Sequence, residues 1–239
     1  MNNPISNENN KKVSCIIPAY NEGKRIKAVL DIATVHPLID EIIVVDDGSK
    51  DNTREIAKGF EKVKLIIHET NKGKSIGLYD GIKASGADLV FFLDADLVGL
   101  NAQDITDLIS PVLNGTADVS ISLRRNSPKF WHRIGIDYIS GERVLSRSII
   151  VSHLEQVPSL RPFGFEVFLN RLIIKNSCRI KIVSWPNVDS PYKFTKVGFW
   201  IVIREDFLMM LDIFRTISIL EPLYQIIKMK KLMVKPSHE

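Results

Sequence analysis

Through the first half of the chain, short runs of apolar and β-branched residues alternate with stretches whose apolar positions recur every three or four residues. Residues 13–18, 41–45, 63–68, 89–93 and 119–123 read as strands, and 22–34, 51–60, 74–84 and 105–113 read as helices between them. Strand, helix and strand in repeated order need parallel crossovers, so the pattern predicts an α/β fold with a Rossmann-like, mostly parallel sheet flanked by helices. Each strand run stops at a polar turn, and in open sheets of this kind ligands gather beyond the carboxyl ends of the strands.

The second half reads differently. Residues 126–133 form a polar loop carrying Phe130 and Trp131, 136–151 and 163–176 have helical spacing, and 179–185 supplies a closing strand. With no internal repeat, one domain is expected over residues 13–192, between a disordered N-terminal tail (1–12) and an amphipathic helical tail (193–239). That C-terminal tail turns basic at Lys228, Lys230, Lys231 and Lys235, which suits packing on its own domain or on a second copy in a homodimer, or peripheral contact with an anionic membrane.

Composition narrows the partners. The 239 residues, 45% hydrophobic and 25% charged, suit one large α/β domain with an appendage. A formal charge of +4 favours phosphates or anionic headgroups but is too small an excess to argue for nucleic acid. Cys15 and Cys178 lack metal or redox spacing. The N-terminal residues lack a secretory pattern and no run reaches the roughly 18 apolar residues of a spanning helix, so the expected location is cytoplasmic.

The chemistry clusters at the predicted strand ends. Residues 91–93 run straight into Asp94-Ala95-Asp96, two oxygen donors suited to Mg²⁺ or Mn²⁺, which takes the rest of its shell from phosphates and water. Capping of the following helix is the plain alternative. The first strand ends in Pro18-Ala19-Tyr20-Asn21-Glu22, whose tyrosine suits either stacking on a flat base or an ordinary rim position. After the second strand comes Asp46-Asp47-Gly48-Ser49; one of its carboxylates suits the N–H groups of a uracil or guanine, and Asp51 and Thr53 read as caps. Asn71-Lys72-Gly73-Lys74-Ser75 opens a helix with features that favour phosphate, without the spacing of a Walker loop.

In that order, Pro-Ala-Tyr-Asn-Glu, Val-Val-Asp-Asp-Gly-Ser, Asn-Lys-Gly-Lys and Asp-Ala-Asp resemble glycosyltransferase family 2 over roughly residues 13–193. The resemblance implies a GT-A fold and inverting transfer of a sugar from a UDP- or GDP-sugar to an acceptor hydroxyl or phosphate. It implies nucleotide contacts at Pro18, Ala19, Tyr20, Glu22, Asp47, Lys74, Asp94 and Ala95, with Asp96 as direct metal ligand. Segments Ser140-Gly141-Glu142-Arg143 and Phe163-Gly164-Phe165-Glu166 are similar to acceptor-side segments of soluble glucosyl-3-phosphoglycerate synthases and, more distantly, of polyprenyl-phosphate glycosyltransferases. On that likeness Gly141, Glu142 and Arg143 contact the acceptor and Glu166 holds sugar hydroxyls or acts as base, while a carboxylate at a helix start is the plain alternative for Glu166. The histidine that often completes the metal shell in related enzymes is absent from residues 186–193, and Asp189 is the expected substitute. Arg124 and Arg125 suit an anionic acceptor. A sugar-phosphate nucleotidyltransferase fits less well, because residues 18–22 are not a glycine-rich basic loop; a non-catalytic nucleotide-sugar-binding subunit stays open.

Overall fold

The structure, a computed structural model, describes residues 11–160, 164–190 and 220–234. Seven strands, β1 (Val13–Ala19), β2 (Glu41–Asp46), β3 (Val63–Ile67), β4 (Leu89–Phe92), β5 (Val119–Arg124), β6 (Arg143–Ser146) and β7 (Ile180–Trp185), form one sheet in the order β3-β2-β1-β4-β6-β5-β7. All pair in parallel except β6, which runs antiparallel between β4 and β5.

Both faces are covered, which is why the strands read as unbroken apolar runs. Cys15, Ile17, Val44, Leu89 and Phe91 pack beneath α1 (Ile26–Ala33), α2 (Thr53–Lys58) and α4 (Ala102–Leu113). Ile16, Val90, Phe92 and Ile121 pack on the other face beneath α3 (Lys74–Ala84), α6 (Arg147–Val151) and α7 (Gly164–Lys175). A short α5 (Lys129–Ile134) lies in the segment read as loop, and α8 (Leu220–Leu232) packs along α7.

The expected helix over 136–151 is corrected: its centre is β6, and only its last residues form α6. Its apolar residues are buried on both sides of the sheet, Val144 in one cluster and Leu145 in the other, so no alternation marks them as a strand.

Pro18 lies inside a central strand without leaving a gap in the ladder. Ile16 accepts from the Leu93 amide on the β4 side and Ala19 from Asp47 on the β2 side, so the proline nitrogen faces β4. That strand has already ended at Phe92, paired with Ile16. Because the six parallel strands exit together and β6 enters beside them, every loop of interest opens on one rim.

Candidate functional site

The rim loops are tied to one another through side chains. Asn21 adopts a left-handed conformation (φ 56°); its amide nitrogen is donated to Ser49 Oγ and its side-chain oxygen accepts from the Lys50 amide. Glu22 and Gly23 donate their backbone N–H groups to Thr53 Oγ1 and Asp51 Oδ2, 2.8 and 3.0 Å away. Asp51 also accepts from the Thr53 amide, but the N-cap of α2 is Asn52, with no side-chain cap bond, so the pair read as helix caps serves instead to fasten the first loop to the second. Tyr20 remains 41% exposed above these loops, and Glu22 forms an ion pair with Arg25.

Asp47 is buried, with an occupied carboxylate: Oδ1 lies 2.7 Å from His68 Nδ1 and accepts from the Lys72 amide (2.9 Å), and Oδ2 accepts from the Gly73 amide (2.8 Å). Asp46 is held by Ser49 and Arg54, which marks it as the structural member of the pair. The turn after β2 presses on the next loop, because a Cβ on Gly48 (φ 74°) would lie 2.6 Å from the Thr70 carbonyl carbon.

Asp94 and Asp96 leave β4 on the same side while Ala95 between them points into the core, 3% exposed. The Lys74 ammonium, at the first residue of α3, lies 2.7 Å from Asp94 and 3.5 Å from Glu166. Phe165 packs edge-on against Phe92 with ring centroids 5.3 Å apart, which brings the first turn of α7 and its Glu166 to the end of β4. Burial opposes charge on Lys74, but Asp94 and Glu166 outweigh it and raise its pKa. Burial likewise pushes Asp94 up, and Lys74 and Arg124 more than reverse this, leaving it below the usual carboxylate range.

Asp96 is in the opposite condition. Its pKa is raised, first by burial and then by Asp94, and its oxygens accept from Ser190 Oγ at 3.2 and 3.1 Å. Ser190 rather than Asp189 is the residue after β7 that reaches it. Asp189, expected as a metal ligand, is instead held through both oxygens by Arg125, and its backbone bridges Val98. Asn126 accepts from the Ser190 amide and steadies that segment.

Two of the expected acceptor contacts are corrected by burial. Glu142 is inaccessible, with one oxygen accepting from Ser122 and Ser140 and the other from Arg124 Nη1 at 3.0 Å; burial raises its pKa. Arg143 is equally inaccessible, donating to the Ser140 carbonyl, Asn170 and the Tyr138 carbonyl. Gly141 alone lies against the carboxylates: a Cβ there would sit 2.8 Å from Lys74 Nζ and 3.0 Å from Asp94. Arg124 is the cation that faces the site, beside Glu142, Asp94 and Asp96, and among the described residues its Nε is a buried donor with no hydrogen-bond partner. His68 and Ser190 carried no motif, so only the fold reveals them.

The chemistry of this donor set fits a divalent cation. Asp94, Asp96, Glu142 and Glu166 face Lys74 and Arg124, an acidic excess, and Asp96 is steadied by a hydroxyl rather than a base. Among the described residues no three His, Cys, Asp or Glu side chains converge on one point, so phosphate and water must complete the shell of any ion held there.

Sheet order, rim and paired carboxylates define the GT-A class of sugar transferases. In overall structure the chain is similar to glucosyl-3-phosphoglycerate synthase from Mycobacterium tuberculosis in complex with Mn²⁺ and UDP-glucose, with a TM-score of 0.68 at 20% identity over 88% of this chain and 80% of that one. The family model described as Glycosyl transferase family 2 matches residues 14–175, and the chain belongs to this family. It is 32% identical to the UDP-N-acetylglucosamine--dolichyl-phosphate N-acetylglucosaminyltransferase of Methanococcus voltae, over 81% of this chain and 94% of that protein. To the M. tuberculosis glucosyl-3-phosphoglycerate synthase it is 34% identical, over 44% of this chain and 35% of that protein.

Proposed function

We propose that this glycosyltransferase moves a sugar from a UDP-sugar to a phosphate-bearing acceptor, with polyprenyl phosphate as the leading acceptor, by a single inverting displacement. The observation that carries the reading is the constellation of Lys74, Asp94, Asp96 and Arg124 on one rim. The near-full-length likeness to a UDP-N-acetylglucosamine--dolichyl-phosphate transferase supports UDP over GDP and a lipid phosphate over an alcohol.

Tyr20 and the 19–23 loop flank the nucleoside, and Asp47 keeps one acceptor position for the base. Lys74 is half-exposed and held by carboxylates, so its ammonium can turn toward the diphosphate together with the amides that open α3, whose N-cap Gly73 offers no side-chain partner. A Mg²⁺ or Mn²⁺ ion held by Asp96 would offset negative charge on the departing diphosphate. Arg124, beside Asp94 and Asp96, supplies positive charge toward the acceptor phosphate. An acceptor phosphate oxygen attacks the anomeric carbon as the bond to the diphosphate oxygen breaks on the opposite face. The nucleophile is already ionised, so no base is needed and Glu166 serves to hold Lys74 and sugar hydroxyls. With an alcohol acceptor Glu166 would take the proton.

The catalytic unit is assigned to residues 13–192 and the tail to 193–239, with the chain working on the cytoplasmic face of a membrane. Among the described residues no helix is long and apolar enough to cross a membrane. The tail helix α8 offers exposed Leu223, Tyr224 and Ile227 beside exposed Lys228, Lys230 and Lys231 for peripheral contact. The sparse metal ligation favours one second reading, a subunit that binds the nucleotide sugar without turning it over.

Calorimetric titration with UDP and GDP, each with and without Mn²⁺, followed by transfer assays on polyprenyl phosphate, tests the reading. Mn²⁺-dependent UDP binding and transfer lost by at least 100-fold in Asp96→Ala are expected. Tight binding with no turnover on phosphate or alcohol acceptors would favour the binding subunit, and absence of nucleotide binding would end both.

A further inference from the structure

His68 touches none of the groups assigned to the metal, the diphosphate or the acceptor, yet it is 4% exposed and engaged through both ring nitrogens. Nδ1 lies 2.7 Å from Asp47 Oδ1, and Nε2 lies 2.9 Å from Asp80 Oδ2. Its backbone amide is donated to the Asp46 carbonyl at 2.9 Å, so the ring springs from a point fixed by the sheet. A neutral imidazole carries one N–H, so which of the two contacts it donates is set by its tautomer. A buried polar chain of this kind persists where each member is satisfied, and it then holds its members in one orientation.

What it orients is Asp47. An ionised carboxylate has about four lone-pair positions, and three are occupied by His68, the Lys72 amide and the Gly73 amide. One position is left for a ligand N–H. The two amides belong to the residues just before Lys74, so turning the Asp47 carboxylate would disturb the base acceptor and the diphosphate lysine together. His68 blocks that turn, and Asp80, further along the helix that Lys74 begins, holds His68 from behind.

We propose that His68 is a positioning residue for donor binding: backed by Asp80, it sets the orientation of Asp47 and, through Asp47, the loop that presents Lys74. The inference rests on the nucleotide-sugar reading above. It assigns His68 no contact with the donor, and its effect falls on donor affinity rather than on the bond-breaking step.

The test uses the full chain carrying His68→Gln, Asp80→Ala or Asp80→Glu, with UDP and Mn²⁺ as probe. Asp80→Ala should weaken UDP binding by roughly 3–10-fold and His68→Gln by roughly 10-fold or more, the scale of one or two hydrogen bonds. The KM for the donor should rise correspondingly with kcat within about twofold, and Asp80→Glu should restore wild-type affinity. A merely structural role would lower the melting temperature and leave affinity, measured well below it, unmoved. UDP affinity within twofold of wild type in both His68→Gln and Asp80→Ala, or a fall in kcat at constant KM, would overturn the proposal. Should His68→Gln fail to fold, Asp80→Ala decides, because the Asp80 side chain is 31% exposed on a helix surface. Wild-type protein that binds no nucleotide would end the donor reading itself; normal wild-type binding with unaffected variants would end only the role of His68.

Discussion

Asp94 and Asp96 stand two residues apart in opposite electrostatic conditions. Asp94 has its pKa lowered by Lys74 and Arg124 against burial, so its ionised form contributes stability above the unfolded pKa, lost as pH falls through the folded one. Asp96 has its pKa raised by burial and by Asp94, so its contribution is present below the unfolded pKa and lost as pH rises through the folded one. At pH 7.5 without metal, Asp94→Asn should therefore lower the melting temperature, modestly, because it removes the shorter of the two carboxylate contacts of the half-exposed Lys74. Asp96→Asn should raise it while abolishing Mn²⁺ dependence, and thermal melts of the two variants showing shifts of the same sign would contradict this account. The same raised pKa predicts that Mn²⁺ affinity declines on acidification while an ordinary carboxylate would still be ionised, which metal titrations across pH can follow. The sequence shows the two carboxylates and their alternation around Ala95. It cannot show their opposite pKa shifts, which come from burial in both and, for Asp94, from Lys74 and Arg124, brought in from α3 and β5.

At the level of elements, the register of α3 against β1 and β2 decides where Lys74 stands. Gly81 lies so close to the sheet that a Cβ would fall 2.4 Å from Ile16 Cγ2, whereas at Gly77 it would meet Pro18 at an ordinary 3.5 Å. Gly81→Ala should cost about 1–3 kcal/mol through overpacking despite alanine's better helix propensity. Gly77→Ala should be neutral or stabilising by up to about 1 kcal/mol. Denaturant melts of the two variants falling in the reverse order would refute this helix placement. The parallel strands and α3 were legible from periodicity because each apolar run was bounded by polar turns. Strand β6 was not: Arg143 opens it fully buried, its guanidinium satisfied by the nearby Tyr138 and Ser140 carbonyls and by Asn170 of α7, distant in sequence. For the same reason Glu142 and Arg143 resembled surface ligands until the fold enclosed them.

Across the whole molecule, the tail helix is bound to the domain along its length and turns basic in its last turns. Arg171 holds Glu221 at 2.9 Å, Tyr138 donates to Gln225 at 2.9 Å, and Met229 is fully buried. Met233 bridges Ile180 at the start of β7, so the lysine-rich last turn lies at the opposite end of the sheet from the rim. On the membrane reading these lysines anchor the molecule and do not line the acceptor's path. Truncation after Leu220 would remove Gln225 and Met229 from the core along with the charges. Replacing Lys228, Lys230 and Lys231 with glutamine is the cleaner test, and it should cut co-sedimentation with phosphatidylserine vesicles by at least 10-fold with the melting temperature unchanged. Undiminished sedimentation would exclude the contact. The expected N-terminal tail over residues 1–10, Phe163, residues 191–219 of the expected domain end and tail, and Lys235 lie outside the described residues.

The order of the parallel strands and of the helices between them in the first half, their shared rim and the residue types at each strand end were determined by the sequence itself, because parallel crossover units are local and their apolar runs stop where the chain meets water. Which of those groups are reachable, which carboxylate of the Asp94–Asp96 pair is the weaker acid, and that His68 contacts Asp47 and Ser190 contacts Asp96 were decided only by the tertiary structure. Burial and ion pairing depend on neighbours far apart along the chain, and no local pattern encodes the distance between them.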